Sequence, residues 1–211
     1  MFFMFFHKKT KEMTFFQSET QFSQKYNIGN FARQRSCCPI FSLIVAQSFM
    51  NDGDNSTKRY SDDLDKAVKT YCKLTDLGLI TKYMNFEDLI NLTNLSSNYI
   101  GGTTTELVFT GELGFDFFLP IDKFINYCVI FLKDSNFFTI TVDQKETKTI
   151  FSVRDCHRDT QYSFHKRDHL INHLNSNYRF STSTVIDGLH ISEFDNIEFF
   201  VIDTEITILG N

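Results

Sequence analysis

The sequence predicts an α+β domain with a helical N-terminal half packed on an antiparallel sheet. Three observations carry that expectation. Leu64, Ala67, Val68, Tyr71 and Leu74 repeat at helical spacing in the first half. Two β-reading runs, Phe137–Val142 and Thr147–Val153, adjoin in the second half across Asp143-Gln144-Lys145-Glu146, a hairpin signal. Helices gather in the first half and antiparallel strands in the second, the arrangement of an α+β fold with segregated layers.

Taken in order, residues 1–20 read as a poorly ordered lead-in, and 21–211 as one domain. The opening apolar run, Met1 to Phe6, is too short for a signal h-region, and its charge (His7-Lys8-Lys9) follows the run instead of preceding it. Gln21 to Ser36 is polar and reads as loop. Pro39 suits the first position of a helix, with Cys38 as its cap and an end near Met50. Ser61-Asp62-Asp63 opens the next helix with a capping serine and early acids. Asn85 caps a short helix over Phe86–Ile90. Gly101-Gly102 interrupts the chain before a strand over Thr103–Thr110. Pro120 opens a helix to about Leu132, and Asp168–Leu174 reads as another. Ile197–Ile202 is a late strand, with Ile206–Leu209 a further candidate.

The chain has 211 residues, 42% of them hydrophobic, with 25 Phe, 2 Pro and 9 Gly. That composition supports one core and argues against a long disordered linker. Net charge is −5 with no basic stripe, so nucleic acid is not an expected partner. No run of about 18 apolar residues exists, so no membrane span is expected. Cysteines stand at 37, 38, 72, 128 and 156. An odd, irregular set does not look like a disulfide framework, and it places the chain in a reducing, intracellular compartment.

Chemistry concentrates in two places. Cys37-Cys38-Pro39 opens an apolar helix, where the positive end of the macrodipole favours a thiolate. Far downstream, Asp155-Cys156-His157 follows a strand. Extended geometry would put Asp155 and His157 on one face, so that the carboxylate fixes the imidazole tautomer and leaves its other nitrogen for proton transfer. Cys37 and Cys38 compete as the thiol. Gln17, Gln21, Gln24 and Gln34 are candidate side-chain donors for an oxyanion. The plain alternatives are a buried pair of small residues for the cysteines and a solvated turn for Arg154, Asp155, His157, Arg158 and Asp159. His165, His169 and His173, spaced by four, could share a helical face and hold zinc, but no Cys-x-x-Cys supports that, and a solvated helix face suits them better.

Arg35-Ser36-Cys37-Cys38-Pro39-Ile40-Phe41-Ser42-Leu43 resembles the nucleophile region of the herpesvirus large tegument protein deubiquitinase domain, relatives of which occur in other large DNA viruses and mobile elements. Ser42 and Leu43 meet the register of that family from Cys38, not from Cys37. Gln24 is the nearest match to the family's upstream oxyanion glutamine, and Asp155-Cys156-His157-Arg158 matches its Asp-x-His after a hairpin. The likeness extends over about residues 20–202. It implies a papain-like cysteine peptidase that cleaves after the C-terminal glycine of ubiquitin or a ubiquitin-like protein. Cys38 would be its nucleophile, His157 its base and acid, Asp155 the orienting group and Gln24 the oxyanion donor. No cofactor and no metal are implied. The implied setting is host cytoplasm or nucleus, or virion tegument. Cys37 beside the nucleophile, Pro39 after it and Arg154 before the Asp depart from the family pattern. They motivate the alternative of a degenerate module that binds ubiquitin or a virion partner without cleavage.

Overall fold

The computed structural model describes residues 13–26, 37–53, 56–80, 84–95, 100–104, 126–133, 136–145, 148–178, 184–186, 189–191 and 197–208. Strands are β1 (Met13–Gln17), β2 (Ile100–Thr104), β3 (Asn126–Lys133), β4 (Asn136–Lys145), β5 (Lys148–Arg154), β6 (Thr160–Phe164), β7 (Thr184–Ile186), β8 (Leu189–Ile191) and β9 (Ile197–Ile202). Helices are α1 (Cys38–Asp52), α2 (Thr57–Asp76), α3 (Phe86–Asn91) and α4 (Arg167–Asn177). A seven-stranded sheet runs β1-β6-β5-β4-β3-β9-β2, and β7 and β8 form a separate pair. Every pairing in the large sheet is antiparallel.

The pleat of the central strands divides the core in two. On β3, Cys128 and Ile130 face the α1–α3 layer, while Tyr127, Val129 and Phe131 face α4. Helix α1 is apolar nearly all round and is the innermost element, with Ile40, Phe41, Leu43, Ile44 and Ala46 fully buried. It packs against β3 and β4 on one side and α2 on the other. Helix α2 turns Tyr60, Leu64, Ala67, Tyr71 and Leu74 inward and leaves Lys66, Lys69 and Lys73 outside. Its start is capped by the Ser56 side chain, which accepts from the Arg59 N–H. Asn85 and Asp88 close a capping box on α3.

Several boundaries differ from the sequence expectation. Residues 126–132, expected as helix, form the central strand β3. Tyr127-Cys128-Val129-Ile130-Phe131 is a continuous apolar run of β-formers, the pattern of a strand covered on both faces, which periodicity cannot separate from a buried helix. The expected lead-in contributes edge strand β1, paired with the mostly polar β6, which has no alternation to betray it. Gly101 and Gly102 lie inside β2, not before it; positions 105–110 and 120–125 of the expected strand and helix fall outside the described residues. The hairpin connection is two residues, not four, because Lys145 already pairs with Lys148. Helix α2 begins at Thr57 instead of Ser61. Of Ile206–Leu209, Ile208 makes a single bridge with Thr93.

Candidate active site

The thiol end of the site is the first turn of α1. The cap residue is Cys37, and Cys38 and Pro39 are the first helical residues, one position earlier than the sequence suggests. Pro39 sits where an N–H has no helical acceptor, so it costs the helix nothing. Cys37 and Cys38 are both 1% exposed. Their environments differ. The Cys37 backbone N–H and thiol both donate to Gln21 Oε1, each at 3.1 Å. The Cys38 thiol makes a hydrogen-bonding contact with the His157 imidazole.

The imidazole end is a turn, not an extended segment. The Arg158 N–H closes back on the Asp155 carbonyl at 3.2 Å. Asp155 Oδ1 accepts the His157 backbone N–H at 2.9 Å, an Asx turn, and stands 2.7 Å from His157 Nδ1. The pairing of carboxylate and ring therefore comes from turn geometry, not from strand alternation. The other carboxylate oxygen accepts from the Tyr178 hydroxyl at 2.9 Å and lies 3.3 Å from Arg158 Nε. Asp155 is 5% exposed, so these partners replace the water it gave up.

Gln161 holds the turn from beneath. Its Oε1 accepts the Asp155 N–H at 2.9 Å, and its Nε2 lies among the Asp155 carbonyl, the Arg158 carbonyl and the Tyr60 hydroxyl. Arg154 is buried, not solvated. It donates to the Val153 and Tyr162 carbonyls and stacks over Phe16. Burial lowers its pKa to about 10, a range in which it stays charged at neutral pH.

The electrostatics follow from this packing. Burial opposes the His157 imidazolium, but the hydrogen bonds to Asp155 and Cys38 and the charges behind them outweigh it, and His157 is raised to about 10. Burial likewise opposes the Asp155 carboxylate, but bonds to His157 and Tyr178 prevail and hold it below its ordinary range. Burial pushes the Cys156 thiol well up, with the Cys37 thiol hydrogen-bonded beside it, and burial alone does the same to Cys128. Those two sulfurs have the environment of inert core thiols. All five cysteines are free.

Of the sequence-predicted residues, Cys38, Asp155 and His157 come together although more than a hundred positions separate the thiol from the other two. Gln24 does not join them: it lies exposed on a single 3-10 turn, Gln24–Tyr26. Gln21, three positions earlier, is 1% exposed and reaches Cys37. Its backbone N–H also donates to the Cys156 carbonyl at 2.8 Å, so it ties the thiol side to the imidazole side. Tyr178, Gln161 and Tyr60 escaped the sequence reading, since no local pattern marks a residue whose partner lies far along the chain. The three histidines do not share a solvated face. His165 precedes α4, and His173 is half-buried against the rings of Tyr162 and Phe164, at 4.3 and 5.1 Å. Burial, with Arg158 nearby, lowers His173 to about 4. Among the described residues no group of three His, Cys, Asp or Glu could hold a metal ion. Nor is any described helix long and apolar enough to cross a membrane.

No family model and no curated protein matches the chain. Solved structures do. The ubiquitin-specific protease encoded by murine cytomegalovirus tegument protein M48, crystallised with a ubiquitin-based suicide substrate, aligns with a TM-score of 0.58 at 12% identity, over 94% of this chain and 88% of that one. The alignment with the Pseudomonas avirulence protein AvrPphB covers 89% of this chain and 98% of that one at 12% identity, with a TM-score of 0.43. At such identity the first likeness speaks to fold: the chain has the α+β, papain-like fold of a viral tegument ubiquitin-specific protease.

Proposed function

We propose that the protein is a thiol-dependent peptidase that cleaves after the C-terminal glycine of ubiquitin or a ubiquitin-like modifier. The observation that carries this reading is the Cys38–His157–Asp155 line-up: a thiol at a helix N-terminus in hydrogen-bonding contact with an imidazole whose Nδ1 is 2.7 Å from a buried carboxylate. In the plain alternative, cysteines as core filling and a solvated charged turn, nothing requires these three groups to meet.

The Asp155 carboxylate accepts from Nδ1–H, so the proton that moves is at Nε2. His157 takes the Cys38 proton, giving the attacking thiolate and an imidazolium that the hydrogen bonds to Asp155 and Cys38 favour. The thiolate attacks the glycine carbonyl carbon. The tetrahedral oxyanion is stabilised by the backbone N–H of Cys38 and by a glutamine side chain. We assign that glutamine as Gln21 in place of Gln24, because Gln21 is buried and reaches Cys37 beside the nucleophile, whereas Gln24 is exposed on its 3-10 turn. His157 Nε2–H protonates the leaving amine, the C–N bond breaks and a thioester remains. Nε2 then takes a proton from water, whose oxygen attacks the thioester carbonyl. Cys38 leaves as thiolate and the modifier carries a free carboxylate.

A C-terminal glycine fits so recessed a thiol, since a residue without a side chain can bring its carbonyl to the sulfur of a residue only 1% exposed. The likeness to a protease crystallised with a ubiquitin-based substrate supports ubiquitin as the modifier. Free cysteines throughout support a reducing, intracellular setting, host cytoplasm, nucleus or virion tegument. The test is incubation with ubiquitin bearing a C-terminal electrophile, read by intact mass and peptide mapping. An adduct on Cys38 supports the reading. A folded protein whose Cys38 alkylates with iodoacetamide but ignores the probe contradicts ubiquitin cleavage and favours the non-cleaving module.

A further inference from the structure

Three of the free cysteines meet at the proposed site, and the reaction described above uses one of them. Cys37 directly precedes the nucleophile, and Cys156 directly precedes the base. The Cys156 thiol is hydrogen-bonded to the Cys37 thiol and stands within electrostatic range of the Cys38 thiol. All three residues are buried in one apolar cluster.

Gln21 brackets the pair. Its Oε1 accepts the Cys37 N–H and thiol, each at 3.1 Å, and its backbone N–H donates to the Cys156 carbonyl at 2.8 Å. On the other side, the turn that carries Cys156 is fixed by the bonds of Asp155 to the His157 N–H and of Gln161 to the Asp155 N–H, both at 2.9 Å. The sulfurs are therefore held together by a frame fastened to both halves of the site. Among the described residues no group of three His, Cys, Asp or Glu could hold a metal ion, so the cluster is not a metal site. Sulfur–sulfur chemistry is what such contacts allow.

We propose that Cys156 and Cys37 form a resolving pair that returns Cys38 to the thiol after a hydroperoxide has oxidised it. The inference rests on Cys38 as the reactive thiol of the function proposed above, not on ubiquitin as its substrate. A thiol activated by an imidazole attacks peroxides as well as carbonyls. Cys38 takes one oxygen of hydrogen peroxide, the O–O bond breaks, and the products are a Cys38 sulfenic acid and water. The Cys156 sulfur attacks the sulfenic sulfur, its proton leaves with the hydroxyl as a second water, and a Cys38–Cys156 disulfide forms. The Cys37 sulfur then attacks Cys156 in that bond. Cys38 departs beside His157 and takes up the proton that Cys37 loses, leaving a Cys37–Cys156 disulfide. In sum, two thiols and one peroxide give one disulfide and two waters, with Cys38 unchanged. Cys37 does not resolve Cys38 directly, because consecutive residues at a helix start do not face each other. Buried Cys156 is slow toward reagents from solution, but a sulfenic sulfur held beside it is at high effective concentration.

The test exposes wild type, Cys156→Ala and Cys37→Ala to a few equivalents of hydrogen peroxide. Remaining thiols are blocked with iodoacetamide in denaturant, and the peptides are mapped by mass with fragmentation between positions 37 and 38. Wild type should give a Cys37–Cys156 cross-link, opened by dithiothreitol, with Cys38 alkylated. Cys156→Ala should carry Cys38 on to the sulfinic acid and lose its alkylation. Cys37→Ala should stop at the Cys38–Cys156 disulfide. Wild type with Cys38 as sulfinic acid and the other two cysteines alkylated overturns the proposal. So does a wild-type end product that keeps Cys38 in a disulfide, or a Cys156→Ala protein whose Cys38 survives as well as in wild type. If Cys156→Ala does not fold, the wild-type map decides alone. No ubiquitin reagent enters, so failure of the ubiquitin reading leaves the test intact. A folded, untreated wild type whose Cys38 does not react with iodoacetamide overturns Cys38 as the reactive thiol, and this inference with it.

Discussion

Asp155 Oδ1 grips His157 twice, accepting its backbone N–H at 2.9 Å and standing 2.7 Å from its Nδ1. One oxygen thereby sets both the backbone of the turn and the orientation of the ring. Asp155→Asn keeps the shape of the turn but presents a neutral group that no longer fixes the tautomer. We expect turnover of a ubiquitin substrate to fall by about 10³-fold or more. His157, followed by NMR titration, should drop from about 10 toward the ordinary histidine range. An unchanged titration would remove Asp155 from the mechanism.

The raised pKa of His157 makes stability depend on pH in a defined direction. Its imidazolium stabilises the fold fully below the unfolded value of about 6.5, and that stability is lost as pH rises through about 10. Asp155, held low, works the other way: its contribution is present above the ordinary carboxylate range and is lost as pH falls through its folded value. Denaturant midpoints should therefore fall between pH 7 and pH 10. In Cys38→Ala that slope should flatten, because one of the two partners of the imidazolium is gone. Identical slopes in both proteins would contradict a Cys38–His157 contact that raises the imidazole.

Tyr178 donates to the Asp155 oxygen that His157 does not use. Tyr178→Phe removes that single hydroxyl from a buried network. We expect a stability loss of about 1–2 kcal/mol and a kcat reduced several-fold with KM little changed, as for a group that positions the carboxylate without touching substrate. An altered KM at full kcat would place Tyr178 in substrate binding instead.

Gln21 and Gln24 are separable by mutation. Gln21→Ala should lower kcat by about 10²–10³-fold, the cost of one oxyanion donor. Gln24→Ala, at an exposed position, should stay within about twofold of wild type. The reverse pattern would return the role to Gln24.

Much of this architecture was readable in the sequence, and the failures share a physical cause. Helix α1, the amphipathic face of α2 and the Asn85 cap were legible because local pattern determines them. The Asp-x-His was legible because its chemistry is compact. Strand β3 was read as helix because a run buried on both faces has no period. Gln21 could not be told from Gln24, because only tertiary packing shows which side chain folds under Cys37. Arg154 looked solvated because its partners, two backbone carbonyls and the Phe16 ring, carry no sequence signal. Tyr178 and Gln161 went unread for the same reason: their hydrogen bonds to Asp155 exist only once β6 and α4 have packed.

The most direct test sets Cys38→Ala beside Cys37→Ala against electrophilic ubiquitin, with circular dichroism to verify that both fold. The thiol in contact with His157 is that of Cys38, whereas the Cys37 thiol is turned to Gln21. Cys38→Ala should lose the adduct entirely, and Cys37→Ala should still form it on Cys38. Equal labelling of the two variants, or loss in Cys37→Ala alone, would contradict Cys38 as the nucleophile.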